Sequence, residues 1–283
     1  MSSIPGWKAV AALFLALALS VPAACSDAVA PANGPSPTPG ATPGPVQLYS
    51  YKILNRYPHD RDAFTQGLVF DRGALFEGTG LNGRSSLRRV DLESGKVLQA
   101  HQLSPDYFGE GITVFRDRII QLTWQSRLGF VYNRDSFQAL RTFNYSTEGW
   151  GLTHDGKHLI LSDGTDTLFF LDPETFAVVR QVRVRDNGAP VTRLNELEYA
   201  GGRVYANVWQ TDRVAIIDPA DGRLSGWIDL SGLLRAEDRV KPVDVLNGIA
   251  SRGESGRLFV TGKLWPWLFE IEAGSGEEIK NQR

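Results

Sequence analysis

The sequence predicts an all-β protein, a five-bladed β-propeller whose ring is closed by an N-terminal strand pairing with the last blade. From residue 47 onward, short runs of β-branched and aromatic residues are separated by Gly, Asp-Gly and Asp-Pro, and no long segment has helical spacing. A similar block recurs five times, and the third positions of the blocks are 44, 40, 45 and 52 residues apart. That period suits a four-stranded sheet repeated around an axis. The third positions are Gln66, Glu110, Trp150, Asn195 and Asn247.

The N-terminal 25 residues predict a secretory signal. A short start with one lysine is followed by an apolar run over residues 9–21 and a small-residue end. That end, Ala23-Ala24-Cys25, resembles a lipobox, and Cys25 is the only cysteine of the chain. We therefore expect an exported protein of the periplasm or cell envelope that is lipid-anchored at Cys25, with plain secretion as the alternative.

Composition separates a tether from the propeller and limits the choice of partners. Residues 26–46 are rich in Pro, Gly and Ala, which predicts an extended, semi-flexible tether. The predicted propeller domain then occupies residues 47–283. The formal charge is -2, from 30 basic and 32 acidic residues, so there is no general attraction to nucleic acid or to an anionic membrane surface. We expect a monomer that binds its ligand at a local site.

Each block contains the same succession of strands. The second and third strands of the five blocks are predicted at residues 73–78 and 86–91, 118–124 and 129–132, 158–163 and 168–173, 203–209 and 214–219, and 257–263 and 267–271. The last block ends soon afterwards without an outer strand, whereas the N-terminal run 49–55 has no block of its own. Pairing the two would cover two exposed sheet edges at once.

The strand order predicts a pocket at one mouth of the central channel. In each blade the start of the first strand and the end of the antiparallel second strand emerge on the same rim. Ten side chains are expected there: Phe64, Gln66, Phe108, Glu110, Trp124, Trp150, Asn195, Trp209, Asn247 and Lys263. Aromatic walls with a few placed polar groups are what a small-ligand pocket needs.

Glu110 is the predicted reactive group of this pocket. A carboxyl among tryptophans should have a raised pKa, because burial disfavours its charged form, and a raised pKa suits proton transfer near neutral pH. Lys263 would oppose that shift. The alternative for Glu110 is a structural carboxylate that accepts backbone N–H groups across the channel.

A metal site is not predicted. His154 and His158 have the spacing of a ligand pair, but they flank an Asp-Gly turn and no third ligand is near in the sequence.

Seven short stretches carry a family resemblance: Phe64-Thr65-Gln66-Gly67-Leu68, Gly83-Arg84-Ser85-Ser86-Leu87, Phe108-Gly109-Glu110-Gly111-Ile112, Glu148-Gly149-Trp150-Gly151-Leu152, Leu194-Asn195-Glu196-Leu197-Glu198, Val245-Leu246-Asn247-Gly248 and Gly262-Lys263-Leu264-Trp265-Pro266. With these stretches in this order, residues 49–273 resemble the plant and bacterial type of glutaminyl-peptide cyclotransferase, the glutamine cyclotransferase family.

The resemblance implies a five-bladed propeller that converts N-terminal glutaminyl residues of peptides or proteins to pyroglutamyl residues and releases ammonia. It implies proton transfer by Glu110 and no catalytic metal, and it is compatible with a structural calcium or other ion in the channel. The positions that it implies for substrate binding are Phe64, Gln66, Phe108, Trp124, Trp150, Asn195, Trp209 and Lys263.

Two functions of other classes are alternatives. One is a non-catalytic, lipid-anchored propeller that presents a rim to protein partners. The other is a propeller lactonase-type hydrolase, which would need calcium held by carboxylates at the channel. The predicted mouth supplies Glu110, whereas Glu148 and Glu196 are offset from the ring positions of their blocks.

Overall fold

A computed structural model describes residues 46–253 and 256–275 of the chain. The predicted signal of residues 1–25, the lipidation site Cys25 and all but the last residue of the tether lie outside the described residues. No helix within the described part is long and apolar enough to cross a membrane.

Almost all regular secondary structure in the described residues is β-strand, which confirms the all-β prediction. The first strand, β1, is Gln47–Pro58. Sheet I contains β2 Thr65–Asp71, β3 Ala74–Thr79, β4 Ser86–Val90 and β5 Val97–Gln102. Sheet II contains β6 Gly109–Phe115, β7 Arg118–Thr123, β8 Leu128–Asn133 and β9 Ala139–Asn144. Sheet III contains β10 Leu152–His154, β11 Leu159–Ser162, β12 Thr167–Leu171 and β13 Val178–Arg183.

The second half of the chain continues the same pattern after a small hairpin. That hairpin is formed by β14 Arg185–Asp186 and β15 Ala189–Pro190. Sheet IV contains β16 Leu194–Ala200, β17 Arg203–Val208, β18 Arg213–Ile217 and β19 Leu224–Asp229. A 3-10 turn at Ala236–Asp238 precedes sheet V, which contains β20 Leu246–Ser251, β21 Arg257–Gly262 and β22 Trp267–Ser275.

The N-terminal strand completes sheet V. β1 runs antiparallel along β22, with Tyr51 opposite Ala273 and Tyr57 opposite Leu268. Its first residues also pair in parallel with β19, where Leu48 lies opposite Trp227. β1 therefore joins sheets IV and V into one eight-stranded sheet, a link that the sequence pattern did not predict.

The first strands of the sheets gather at the centre of the described domain. β6 is buried along its whole length, whereas most residues of the outer strand β9 are exposed. In space the first strands contact one another in the order β2, β6, β10, β16, β20 and back to β2. This central arrangement is propeller-like, and it brings residues far apart in the chain to one place.

The apolar core is divided among the spaces between neighbouring sheets. One cluster, for example, joins Phe76 and Leu87 of sheet I to Ile112 and Tyr132 of sheet II. Corresponding clusters lie between sheets II and III, III and IV, IV and V, and V and I. Burial of these side chains, at about 25 cal/mol per Å² of apolar surface removed from water, holds the sheets against one another.

Candidate active site

Ten side chains line a cavity of about 320 Å³, which we call the cup. They are Phe64, Gln66, Phe108, Glu110, Trp124, Trp150, Asn195, Trp209, Asp244 and Lys263. Nine of the ten were expected at the mouth from the sequence. They meet because each lies at or just before the start of a first strand, or directly after a second strand.

Glu110 lies buried in the cup with only 4% of its surface exposed. Its Oε1 accepts a hydrogen bond from Nε2 of Gln66 at 2.9 Å. Burial raises the pKa of Glu110 well above the ordinary value; the nearby Lys263 ammonium lowers it, and the Glu148 carboxylate raises it further. The acid therefore lies in a dry site that favours its protonated form.

The structural role that was the alternative for Glu110 belongs to Glu196. This carboxylate is fully buried, and its two oxygens accept the backbone N–H groups of Leu68 at 3.1 Å and Ile249 at 2.7 Å. It ties the first strand of sheet IV to those of sheets I and V. The hydrogen bond to Glu110, in contrast, comes from a side chain.

Asn247 does not line the cup, and its predicted place at the mouth is wrong. It is fully buried, and its Nδ2 donates to the carbonyl oxygen of Thr65 at 3.0 Å and to Oε1 of Gln66 at 3.1 Å. Since the Gln66 carbonyl is held in this way, its amide nitrogen faces Glu110. The spacing correctly placed the backbone of Asn247 near the start of β20, but it could not show that the side chain turns toward β2 and away from the cavity.

The walls of the cup are aromatic rings in edge-to-face contact. The Phe108 ring centroid lies 6.2 Å from that of Phe64 and 5.7 Å from that of Trp124. Trp150 and Trp209 meet at 5.7 Å with their planes 87° apart. Such contacts fix the rings relative to one another, so the walls are largely formed before a ligand arrives.

Glu148 lies behind two of these walls, a place that its spacing in the sequence did not predict. Its Oε2 accepts the indole N–H of Trp124 at 2.7 Å and that of Trp150 at 3.0 Å. The Trp150 ring also lies against Gly164, whose φ of +81° and missing side chain leave space for the indole.

Lys263 and Asn195 are two further polar side chains of the cup. Lys263 is buried, and its Nζ lies 4.7 Å from the centre of the Phe64 ring. Burial lowers the pKa of Lys263, although Glu110 and Asp244 oppose that shift. The Oδ1 of Asn195 is buried and has no hydrogen-bond partner among the described residues.

Asp244 is the cup residue that the sequence analysis missed. It lies in the loop before β20, as Phe64 and Phe108 lie before β2 and β6. Asp244 lies two residues before β20, as Trp150 lies two residues before β10, and this placement was the signal that could have identified it.

The histidine pair forms part of a turn, as its flanking residues suggested. Nδ1 of His154 accepts the backbone N–H of Gly156 at 3.0 Å, and Nδ1 of His158 lies 3.2 Å from Asp155 Oδ2. Within residues 46–253 and 256–275, no group of three or more His, Cys, Asp or Glu side chains could hold a metal ion.

Comparisons with known proteins give a consistent result. A family model described as glutamine cyclotransferase matches residues 21–273. A curated glutaminyl-peptide cyclotransferase from Arabidopsis thaliana is 47% identical over 242 residues, which are 82% of this chain and 75% of the relative. The crystal structure of Myxococcus xanthus glutaminyl cyclase matches with a TM-score of 0.75 and 44% identity, over 81% of this chain and 98% of that one.

Proposed function

Since the chain belongs to the glutamine cyclotransferase family, we propose that it converts N-terminal glutaminyl residues of peptides and proteins to pyroglutamyl residues and releases ammonia. The observation that carries this function is the cup itself. It contains a buried carboxyl, a buried ammonium and an amide whose oxygen has no hydrogen-bond partner among the described residues, all within one aromatic enclosure.

The reaction is an intramolecular ring closure. The α-amine of the substrate attacks its own γ-carboxamide carbon, forms the lactam C–N bond, and the C–N bond to the departing nitrogen breaks. The first task of the protein is therefore to hold the substrate chain in the folded conformer. A cavity of about 320 Å³ with rigid aromatic walls suits one glutaminyl residue.

Glu110 is proposed to move the proton. The incoming amine, with a reference pKa near ~8, is largely protonated at neutral pH and must lose a proton before it attacks. Gln66 occupies Oε1 of Glu110, and no protein donor within the described ranges occupies Oε2. Glu110 in its ionised form takes this proton through Oε2 and delivers it to the leaving nitrogen, which departs as ammonia. The second proton, which the attacking nitrogen loses as the lactam C–N bond forms, passes to Glu110, and Glu110 releases it to solvent before the next turnover.

The amide nitrogen Nδ2 of Asn195 and the ammonium of Lys263 are the proposed donors to the γ-carbonyl oxygen as negative charge develops on it. Gln66, a third candidate from the sequence, is engaged at both ends of its amide by Asn247 and Glu110. Donors placed in this way typically contribute about 10²–10³ in rate at comparable sites.

The test of this function is the Glu110→Gln variant. We expect ammonia release from a Gln-initiated peptide to fall by about 10²–10⁴, because the amide cannot take the proton. The melting temperature should be kept or should rise at neutral and higher pH. A raised pKa in the fold means that ionisation of Glu110 opposes folding as the pH increases.

The matched control is Glu174→Gln, which removes an exposed carboxylate between β12 and β13 that pairs with Arg118; neither residue lines the cup. A Glu110→Gln protein with a near-normal rate would remove Glu110 from the chemistry. Absence of ammonia release from the unmodified protein would favour the non-catalytic binding protein, and lactone hydrolysis that needs calcium would favour the lactonase-type hydrolase.

We infer that the five sheets are five blades of a ring closed by β1 on β22. The cyclic contacts of the first strands and the five core clusters between neighbouring sheets support this. An experimental structure in which β1 lies away from β22 would contradict it.

We propose the following domain organisation: a signal at residues 1–25, a tether at residues 26–46 and a catalytic propeller at residues 47–283. The protein would be an exported monomer held in the cell envelope by a lipid on Cys25. Cys25→Ser should move it from the membrane fraction to the soluble fraction, and an unchanged distribution would argue against the anchor.

Catalysis is proposed to need no metal ion. Proton transfer and charge stabilisation are both assigned to side chains of the cup. A structural calcium at Glu196 fits poorly, since both carboxylate oxygens already accept backbone N–H groups and calcium takes about six to eight oxygen ligands. Ammonia release that is lost on chelation and restored by a metal ion would overturn the metal-independent mechanism.

A further inference from the structure

One carboxylate contacts two walls of the cup that come from different parts of the chain. Trp124 follows β7 of sheet II, and Trp150 precedes β10 of sheet III. The indole N–H of each donates to the same atom, Oε2 of Glu148. An indole N–H only donates, so each ring has one direction in which its polar edge is satisfied.

The acceptor is a charged one. Hydrogen bonds lower the pKa of Glu148: the largest effect comes from the indole N–H of Trp150, followed by the indole N–H of Trp124 and the side-chain amide of Gln125. The Glu148 carboxylate is therefore ionised at neutral pH. Hydrogen bonds to an ionised acceptor are about twice as strong as neutral ones. Trp124 has 37% of its surface exposed, so packing alone restrains this ring less than a buried one.

The main chain around these rings is held independently of Glu148. The backbone N–H of Trp124 donates to Phe108 O at 3.0 Å, and that of Gly149 donates to Trp124 O at 3.1 Å. The backbone N–H of Trp150 donates to Ser162 O at 3.0 Å. Loss of the Glu148 carboxylate would therefore release the two rings while the strands stay in place.

We propose that Glu148 is a positioning residue, which fixes Trp124 and Trp150 as walls of the cup through their indole N–H groups. This inference rests on the proposed cyclisation, for which a fixed enclosure holds the substrate in its ring-closing conformer. A second consequence follows from charge. The charged groups that act on Glu110 are Lys263 and Glu148, so removal of the Glu148 charge should lower the pKa of Glu110.

The experiment compares Glu148→Ala with Glu148→Gln, and uses Glu174→Gln as the control for loss of a carboxylate. Kinetics on a Gln-initiated peptide across pH give kcat and KM. In Glu148→Ala we expect KM to rise roughly tenfold with a smaller change in kcat, because the walls are no longer fixed. Glu148→Gln keeps an acceptor oxygen and should recover most of KM. In both variants the acid limb of kcat/KM should move to lower pH.

A readout without turnover separates this inference from the proposed function. The indole N–H proton resonances of Trp124 and Trp150 should move upfield in Glu148→Ala and stay near their original positions in the control. If the unmodified protein releases no ammonia but these resonances move, the proposed function fails and the contact stands. The proposal would be overturned by unchanged indole resonances or by an unchanged KM in Glu148→Ala. It would also be overturned if the loss of activity matched a loss of melting temperature and Glu148→Gln did not recover it.

Discussion

At the scale of single residues, the behaviour of Glu110 is set by its surroundings more than by its chemistry. Burial favours the protonated acid, the Lys263 ammonium favours the ionised acid, and the Glu148 carboxylate opposes ionisation. Gln66 fixes one oxygen and is itself fixed by Asn247. The pKa of Glu110 is therefore tuned by two nearby charges of opposite sign.

The first prediction at this scale concerns Lys263→Met. Removal of the positive charge should raise the pKa of Glu110 further, so the acid limb of kcat/KM should move to higher pH, opposite to the shift expected for Glu148→Gln. The free substrate amine has the same pKa in every assay, so it does not contribute to the difference in the acid limb between two variants. Lys157→Met, on an exposed turn, is the matched control. Shifts in the same direction for the two cup variants would refute this electrostatic account.

At the scale of strands, the cup depends on a close approach of the first strands. β10 has only three residues and lies between β6 and β16. A side chain on Gly151, just before β10, would place its Cβ against the carbonyl oxygen of Asn195, closer than van der Waals contact allows. Glycine is needed at this position because two backbones nearly touch there, and the same contact sets where Asn195 enters the cup.

We therefore expect Gly151→Ala to lower both stability and activity. Overpacking of this kind costs about 1–3 kcal/mol, and a displaced Asn195 should reduce kcat in addition. Urea unfolding together with ammonia release measures both effects. The comparison is Gly156→Ala, where a new Cβ meets no atom within 4 Å and the change loses only the backbone preference of glycine at φ +87°. Equal stability and full activity in the two variants would show that the backbones at Gly151 and Asn195 can move apart without cost.

At the scale of the whole molecule, a buried ion pair links sheet I to sheet V beside the N-terminal strand. Nε2 of His59 lies 2.9 Å from Glu77 Oε1, and Nδ1 lies 2.8 Å from the carbonyl oxygen of Trp265. Acceptors on both sides fit a doubly protonated imidazolium. Burial alone would lower the pKa of His59, but the Glu77 carboxylate outweighs it and the pKa is raised.

This pair predicts a pH dependence of stability with a definite sign. Burial would raise the pKa of Glu77, but His59 and then Arg88 outweigh it, so that pKa is lowered. The His59 contribution is fully present below its ordinary pKa of 6.5 and is lost as the pH rises through the raised value. The Glu77 contribution is present above its ordinary pKa of 4.5 and is lost as the pH falls through the lowered value.

His59→Gln should therefore destabilise the protein most between about pH 5 and 6.5. The cost should stay below that of a fully uncompensated buried charge, about 3–5 kcal/mol, because Arg88 lies 3.9 Å from Glu77 and Thr65 donates to it. Unfolding free energies of the parent and the variant, measured from pH 5 to 9, give the difference. Arg118→Gln, which breaks the pair with exposed Glu174, should show little change. A constant difference over this range would mean that His59 is neutral in the fold.

The sequence by itself determined the all-β class, the recurring blocks and nine of the ten cup residues. Residues at the same position of each repeated block lie at the same level of each sheet. The spacing alone therefore predicted that Glu110, Trp124 and Lys263 lie at one rim. Family resemblance then supplied the reaction.

Only the tertiary structure decided which polar groups engage one another. Asn247 holds Gln66, Glu148 holds two indoles and Glu196 accepts backbone N–H groups, although all three occur in the same repeated stretches as Glu110. The physical reason is that a hydrogen bond depends on a few tenths of an ångström and on donor direction. Those quantities follow from how neighbouring sheets pack against each other, and spacing along one chain does not contain them.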